Sequence, residues 1–367
     1  MTLVLALETS CDETAVALVR DGRHIVRNVV ASQVDLHRTT GGIVPEVASR
    51  EHVLKIVPVL EEALAGLEDP KAAVDAVAVT HGPGLAGSLL VGVNVGKALS
   101  LAWGKPFLAI HHLEAHLYAN WLLGGTEETE PPRFPALCLV ISGGHTTLLL
   151  MEGHGRYRQL GQTLDDAAGE AFDKAARILG LGYPGGPAIE QAARKGQAQR
   201  YSLPKSRLRG THDFSFSGLK TALYRYAQEE RRHENALRFG ADPSRTEARP
   251  GEVPRLSRAG EFPPLNEQVA ADLAAAFQDV VVEIVVEKTV EAAAVYGVLE
   301  VMLAGGVAAN GRLRDEMALH VNVPLRIPPP ALCTDNAAMV GAAAYYHLIQ
   351  GERASLDVDV YPNLALL

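Results

Sequence analysis

The sequence predicts an α/β protein of two lobes, each a mixed sheet flanked by helices. Three observations point there. The chain has 367 residues, more than one ordinary core organises, since domains run roughly 100–200 residues. Strand-like apolar runs alternate with helical patterns along most of the chain. Two distant segments also share one plan: a buried strand, a small polar turn, a returning strand. A weak internal duplication, with one unit opening each lobe, would leave that trace. The balance of 47% apolar and 21% charged residues is that of a globular chain and excludes wholesale disorder.

Taken in order, Leu3 to Ser10 reads as a strand entering a polar turn, and Thr14 to Val19 as a second strand, with Asp21-Gly22 a hairpin signal. Val47 to Leu64 carries apolar residues at helical spacing, and Pro58 should kink or split it. Asp75 to Thr80 is a short buried strand ahead of the turn His81-Gly82-Pro83-Gly84. Gly87 to Trp103 is a helix that packs closely through Gly87, Gly92 and Gly96. Pro106 to Ile110 is a strand, and a helix starts at His112. Gly124 to Phe134, with its acids and prolines, marks the lobe boundary. The second unit follows: strand Leu137 to Ser142, turn Gly143-Gly144-His145, strand Thr146 to Met151. Glu229 to Pro264 reads as a long charged loop with seven arginines. Ala270 to Tyr296 is a long helix, Leu299 to Ala304 a strand ending in Gly305-Gly306, and Asn336 to Ile349 a last helix.

Composition narrows the function. Cys11, Cys138 and Cys333 are odd in number and widely spaced. That excludes a disulfide framework, a zinc ribbon and a redox Cys pair, and predicts a reducing cytoplasm. Met1 to Leu7 lacks a basic leader and is too short for a signal peptide. No apolar run of about 20 residues is free of polar breaks, so no membrane span and no membrane partner are expected. The net charge of −9 argues against a dedicated nucleic-acid-binding domain. A local patch remains: Arg194, Lys195, Arg200, Lys205, Arg207 and Arg209 fall between Gln191 and His212 with no acid among them. It is either a solvated helix end or a phosphate-contacting surface.

His112 and His116 stand four apart on one helical face, a separation at which both can ligate one metal ion. The alternative is a pair of surface or capping histidines. A zinc-protease helix would carry Glu directly after the first His. Leu113 is there instead, and Glu114 points to another face. His111 reads as a packing or supporting residue. The segment Cys333-Thr334-Asp335-Asn336 is the candidate source of a third ligand, with Asp335 otherwise a helix N-cap. Three glycine-rich turns could admit an anion to the backbone: Val140-Ile141-Ser142-Gly143-Gly144, Pro184-Gly185-Gly186-Pro187 and Ala304 to Asn310. Each alone is as readily a tight turn. A Walker A pattern is absent, and so is a G-x-G-x-x-G after the first strand, which argues against a nicotinamide cofactor.

Together these motifs resemble one family, the tRNA N6-adenosine threonylcarbamoyltransferases, formerly labelled O-sialoglycoprotein endopeptidases, in their bacterial form. The residues that carry the resemblance are Glu8 to Thr14, Gly42 to Arg50, His81 to Gly84, His111 to His116, Ser142 to Thr146 and Asp165 to Lys174. They continue through Tyr183 to Pro187, Asp213 to Thr221, Ala304 to Asn310 and Cys333 to Asn336. They span nearly the whole chain in family order. The resemblance implies the two-lobed actin-like, sugar-kinase-like fold, with residues 1–125 and 134–332 as lobes, 333–367 returning to the first lobe, and the active site between them. It implies transfer of the threonylcarbamoyl group from threonylcarbamoyl-adenylate to N6 of adenosine 37 in tRNAs reading codons that begin with adenine, with release of AMP.

By the same resemblance His112, His116 and Asp335 hold one divalent ion, iron ahead of zinc. The donor lies across Val140, Ile141, Ser142, Gly143 and Gly144, with Asp173, Gly186 and Asn310 touching its nucleotide. Glu190 stands where some relatives have an Asp that touches the donor. Asp12 and Glu13 are the candidate catalytic acids, and Asp12 could instead cap its turn. The implied partners are the tRNA anticodon stem-loop, a paralogous dimerisation protein lacking the metal site and a small P-loop ATPase. Two alternatives use the same fold: an ATP-dependent small-molecule kinase, which leaves the histidine pair without a role, and a non-catalytic scaffold paralogue, which should have lost it. The stretch from Glu229 to Pro264 is longer than the family's usual connection, and no role is carried onto it.

Overall fold

The computed structural model describes residues 1–123, 130–206, 208–239 and 265–366, with side chains to 234 in the third of these. Strands β1 (Leu3–Glu8) and β2 (Glu13–Arg20) form an antiparallel pair, and β3 (His24–Ser32) adds to the outer edge of β2. On the other side of β1, β4 (Ala76–Gly82) and β5 (Phe107–His111) run parallel to it, giving the order β3-β2-β1-β4-β5. The second sheet holds β6 (Ala136–Ile141), β7 (Thr146–Gly153), β8 (Arg156–Gln162), β9 (Glu300–Ala304) and β10 (Leu325–Arg326). Its order is β8-β7-β6-β9-β10, with the same two antiparallel and two parallel pairings. The topology is therefore repeated strand for strand, and the expected duplication is real. The central strands β1 and β6 are buried at every residue, as strands covered on both faces must be.

Helices fill three layers. α2 (Pro45–Leu64) and α4 (Ala86–Trp103) cover the outer face of the first sheet through Ile56, Val59, Val93, Val79 and Phe107. α6 (Ala168–Leu179), α7 (Gly185–Ala193), α8 (Ser217–Phe239), α9 (Glu267–Tyr296) and α10 (Gly311–His320) cover the outer face of the second. Between the sheets one continuous core joins Ala6, Ala78 and Ile110 to Cys138, Met151 and Ala304 through α5 (His112–Tyr118) and α12 (Ala337–Ile349). The site-bearing helix α5 is thus clamped between the sheets. Short helices complete the set: α1 (Val34–Arg38), α3 (Pro70–Ala73) and α11 (Pro330–Cys333).

Two expectations fail here, a split of the helix at Pro58 and a loop beginning at Glu229. α2 runs unbroken through Pro58. The carbonyl that loses its partner belongs to Leu54, which is 67% exposed, so solvent can satisfy it. The charged stretch from Glu229 is not a loop at its start: α8 continues to Phe239, and Arg231 is buried with a guanidinium N–H 2.7 Å from the carbonyl oxygen of Ile178. Residues 240–264 of that stretch, and 124–129 of the expected lobe boundary, lie outside the described residues.

α4 is long and apolar enough to cross a membrane by length and composition. It packs on the first sheet as a core helix, and its glycines set the approach. A Cβ at Gly92 would lie 2.5 Å from Thr9 Oγ1, and one at Gly96 2.2 Å from Val79 Cγ1. Helix propensity alone would make Gly96→Ala stabilising by about 1 kcal/mol, whereas overpacking costs about 1–3 kcal/mol. At 2.2 Å overpacking wins, so Gly96→Ala should lower the urea midpoint.

Candidate active site at the lobe junction

α5 begins where β5 ends. His111 closes the junction: its Nδ1 accepts the N–H of Leu113 at 3.1 Å, and its Nε2 lies 3.2 Å from the carbonyl oxygen of Leu364. Burial pushes its pKa down to about 4. It is a capping residue that ties the C-terminal segment to α5, as its separate face suggested. His112 and His116 follow on the next face, rings 4.7 Å apart. Asp335 comes from the turn between α11 and α12, and its Oδ1 lies 3.7 Å from His112 Nε2 and 3.1 Å from His116 Nε2. Asp335 is free for this because Asn336 takes the N-cap of α12, accepting the N–H of Met339 at 3.1 Å.

One ligand atom from each of His112, His116 and Asp335 lies within 4.8 Å of the others. His116 is 1% exposed, yet neither of its ring nitrogens makes an aligned hydrogen bond, although Nε2 lies 3.1 Å from Asp335 Oδ1. Buried polar atoms are normally satisfied, so this orphaned imidazole fits a metal-ligating role better than a packing one. Two imidazoles and a carboxylate make a donor set suited to a divalent ion, with coordination positions left for substrate. Burial alone would lower the His112 pKa, but Asp335 and Glu8 outweigh it and raise it to about 9. Burial alone would raise that of Asp335, but His112 and His116 pull it down to about 2.

Glu8, the last residue of β1, stands behind His112 and is fully buried. Oε1 accepts the N–H of Ser10 at 2.6 Å, and Oε2 accepts the hydroxyl of Thr80 at 2.5 Å. Oε2 also lies 3.3 Å from His112 Nδ1, which is 3.2 Å from Ser10 Oγ. A carboxylate behind a ligating imidazole fixes its tautomer and aims the other nitrogen. The available signal was an acid closing an otherwise apolar strand.

The glycine turns gather around the same junction. Ser142 closes its turn through its N–H to the carbonyl of His145 at 2.8 Å, and α6 docks on it, Gly169 N–H to Ser142 carbonyl at 3.1 Å. Gly305, at φ +91, would carry a Cβ 2.5 Å from the carbonyl oxygen of Ile141, so only glycine lets this turn approach β6. Space above Gly143, Gly144 and Gly186 is open: nothing lies within 4 Å of a Cβ placed there. Val140 and Ile141 are fully buried, and β6 is paired on one side with β7 and on the other with β9. The accessible part of that segment is Ser142, Gly143 and Gly144.

Asp173 Oδ1 accepts the N–H of Gly185 at 2.7 Å and so ties α6 to the start of α7. Burial holds its pKa up. Glu190 is engaged with Arg194 at 3.1 Å and the N–H of Gly311 at 3.3 Å. Asn310 is the N-cap of α10, accepting the N–H of Leu313 at 3.0 Å while its Nδ2 donates to Gln278 at 2.9 Å. Both ends of its side chain are hydrogen-bonded inside the lobe, as a buried N-cap amide requires. Of the two candidate acids, Glu13 accepts from Ser32 Oγ at 2.8 Å, and burial, then Asp12, push its pKa up to about 8. Burial and then Asp335 raise that of Asp12, which places Asp12 within the electrostatic reach of the cluster. Glu114 bonds Tyr157 at 2.6 Å and His347 at 2.9 Å on another face of α5.

The basic segment is less free than its composition suggested. Arg194 pairs with Glu190, Arg200 with Asp272 at 2.7 Å, and Lys205 with Glu283 at 2.8 Å. Glu190 stands one helical turn before Arg194, whereas Asp272 and Glu283 come from α9, where sequence spacing could not reveal them. Arg207 lies outside the described residues.

Fold and site together define a class: a two-lobed actin-like α/β protein with a potential metal-ligand cluster at the lobe junction. Among solved structures the chain is similar to HypF from T. kodakarensis, with a TM-score of 0.55 at 13% identity over 95% of this chain and 48% of that one. Full-length HypF in a phosphate- and nucleotide-bound form gives 0.54 at 10% identity, over 96% and 47%. At such identities these neighbours speak to the fold alone. The profile of the tRNA N6-adenosine threonylcarbamoyltransferase family matches residues 24–342. A protein of that name from Thermomicrobium roseum is 55% identical over 100% of this chain and 97% of its own length. Another from Bacillus subtilis is 46% identical over 99% and 95%. The chain belongs to the tRNA N6-adenosine threonylcarbamoyltransferase family.

Proposed function

We propose that this chain transfers the threonylcarbamoyl group of threonylcarbamoyl-adenylate to N6 of adenosine 37 in tRNAs that read codons beginning with adenine. The observation that carries the reading is full-length family membership in a chain that keeps His112, His116 and Asp335 as one cluster. The exocyclic amine of adenine is a weak nucleophile because its lone pair is delocalised into the ring. The acyl group therefore has to arrive activated, as a mixed anhydride with AMP. N6 attacks the carbamoyl carbon, the bond from that carbon to the phosphate oxygen breaks, AMP leaves with the electron pair, and N6 loses a proton.

The chain's own residues supply position and charge. The open turn Ser142-Gly143-Gly144 and the start of α7 at Gly186 offer backbone to the donor at close range. Asp12, with its pKa raised by burial and Asp335, is our candidate for receiving the proton from N6. His112, His116 and Asp335 would hold a divalent ion, iron or zinc, whose chemistry there is Lewis-acid stabilisation of negative charge on donor oxygens. The direct test combines unmodified tRNA, the donor, this chain and its paralogous and P-loop ATPase partners, and analyses the nucleosides by mass. Threonylcarbamoyl-adenosine at position 37 is expected. ATP consumed on a small-molecule panel with no modified nucleoside would instead mean a kinase.

Gly186→Ala separates binding from folding. A Cβ there meets nothing within 4 Å, so urea unfolding should be unchanged while KM for the donor rises. Unchanged KM would remove Gly186 from the donor site.

A further inference from the structure

An inter-lobe cavity of about 670 Å³ lies beside Asp173, on the face of α7 away from Glu190. The first lobe lines it with Arg38 and Gly41, and the second with Arg177, Tyr183 and Lys195. We propose that this cavity docks the phosphodiester backbone of the RNA substrate, with Arg177 and Lys195 on phosphate oxygens. The inference rests on the transfer reaction proposed above and adds where the RNA is held.

Four observations support it. First, the protein is acidic overall, so an RNA needs local cations, and the basic segment has spent Arg194, Arg200 and Lys205 on ion pairs. Second, Arg177 and Lys195 have no carboxylate within ion-pairing distance among the described residues. Arg177 donates only to the carbonyl oxygen of Gly41, at 2.8 Å across the lobes, and a phosphate oxygen is a stronger acceptor than a neutral carbonyl. Arg38 adds a third cation, paired with the exposed Asp35. Third, the two acids in the lining are locally compensated. Asp173 accepts the first N–H of α7, and Glu267 sits in the first turn of α9, where the helix dipole favours an anion. Fourth, Tyr183 joins the cavity to the chemistry. It shares the cavity wall with Asp173 and stands three residues before Gly186 at the start of α7, where the donor is placed. Its volume falls within the roughly 300–1,000 Å³ of ligand pockets. A tyrosine on the wall suits RNA, because unstacked bases stack on aromatic rings.

The test is tRNA binding by fluorescence anisotropy across a salt series, with the full chain and its partner proteins. In Arg177→Ala/Lys195→Ala the slope of log affinity against log salt should fall by about two, and Arg177→Lys/Lys195→Arg should restore most of it. An unchanged slope in the alanine variant overturns the proposal. So does loss of AMP affinity, read by calorimetry, with the tRNA slope intact, which would assign the cavity to a free nucleotide. A slope lost equally in both double variants would mean a structural role and also overturns it. Because binding needs no turnover, the result stands apart from whether the wild type forms threonylcarbamoyl-adenosine.

Discussion

His116→Ala should leave a folded protein that retains no stoichiometric metal and transfers almost nothing. His116 is buried, and its Nε2 lies 3.1 Å from Asp335 Oδ1. Removing the ring loses that contact as well as a buried side chain, and the cost to folding is about 3–5 kcal/mol. The cost to the site is larger. Loss of an outer-shell partner typically lowers metal affinity or activity about 10–100-fold, and loss of a ligand should exceed that range. The measurement is metal content by elemental analysis beside single-turnover transfer to tRNA. Full occupancy and full activity in the variant would show that His116 is a packing residue and would dismantle the cluster.

Glu8→Ala should be the more damaging change to stability. It removes one carboxylate and leaves His112 Nδ1, the Thr80 hydroxyl and the Ser10 N–H facing a buried void. Breaking a buried charged pair from one side costs about 3–5 kcal/mol. Glu8→Gln keeps the volume and an acceptor while losing the charge. Its amide NH2 must face one of the donors that Glu8 accepts from, so its stability should fall, though less than that of Glu8→Ala, and metal affinity should fall about 10–100-fold. Chemical unfolding and metal titration of the two variants separate the roles. If Glu8→Gln binds metal as tightly as wild type, Glu8 is a structural acid of β1 and does not act through His112.

Fold class and duplication were legible because they depend on local pattern. The apolar runs of β1 and β6, each followed by a polar turn, are features of consecutive residues. So are the histidine pair, whose spacing is one helical turn, and the glycines of α4, whose absent side chains forecast a close approach. The failures share a cause. Pro58 reads as a break until the exposure of Leu54 is known. The run from Glu229 reads as a loop because charge was weighed and the second-lobe surface that buries Arg231 was out of view.

The sequence by itself determined the repeated strand plan and the family, and through the family resemblance it named the three residues of the candidate metal-ligand cluster. The tertiary structure decided that they meet. Asp335 is 219 residues from His116, and nothing local distinguishes it from a helix cap until Asn336 is seen to do the capping. The same holds for Glu8 behind His112 and for the acids that neutralise Arg200 and Lys205. Periodicity reports which face of an element is apolar, because that is set within a few residues. Which charges meet is set by how two sheets and the helices between them close on one another, and no window along the chain contains both partners.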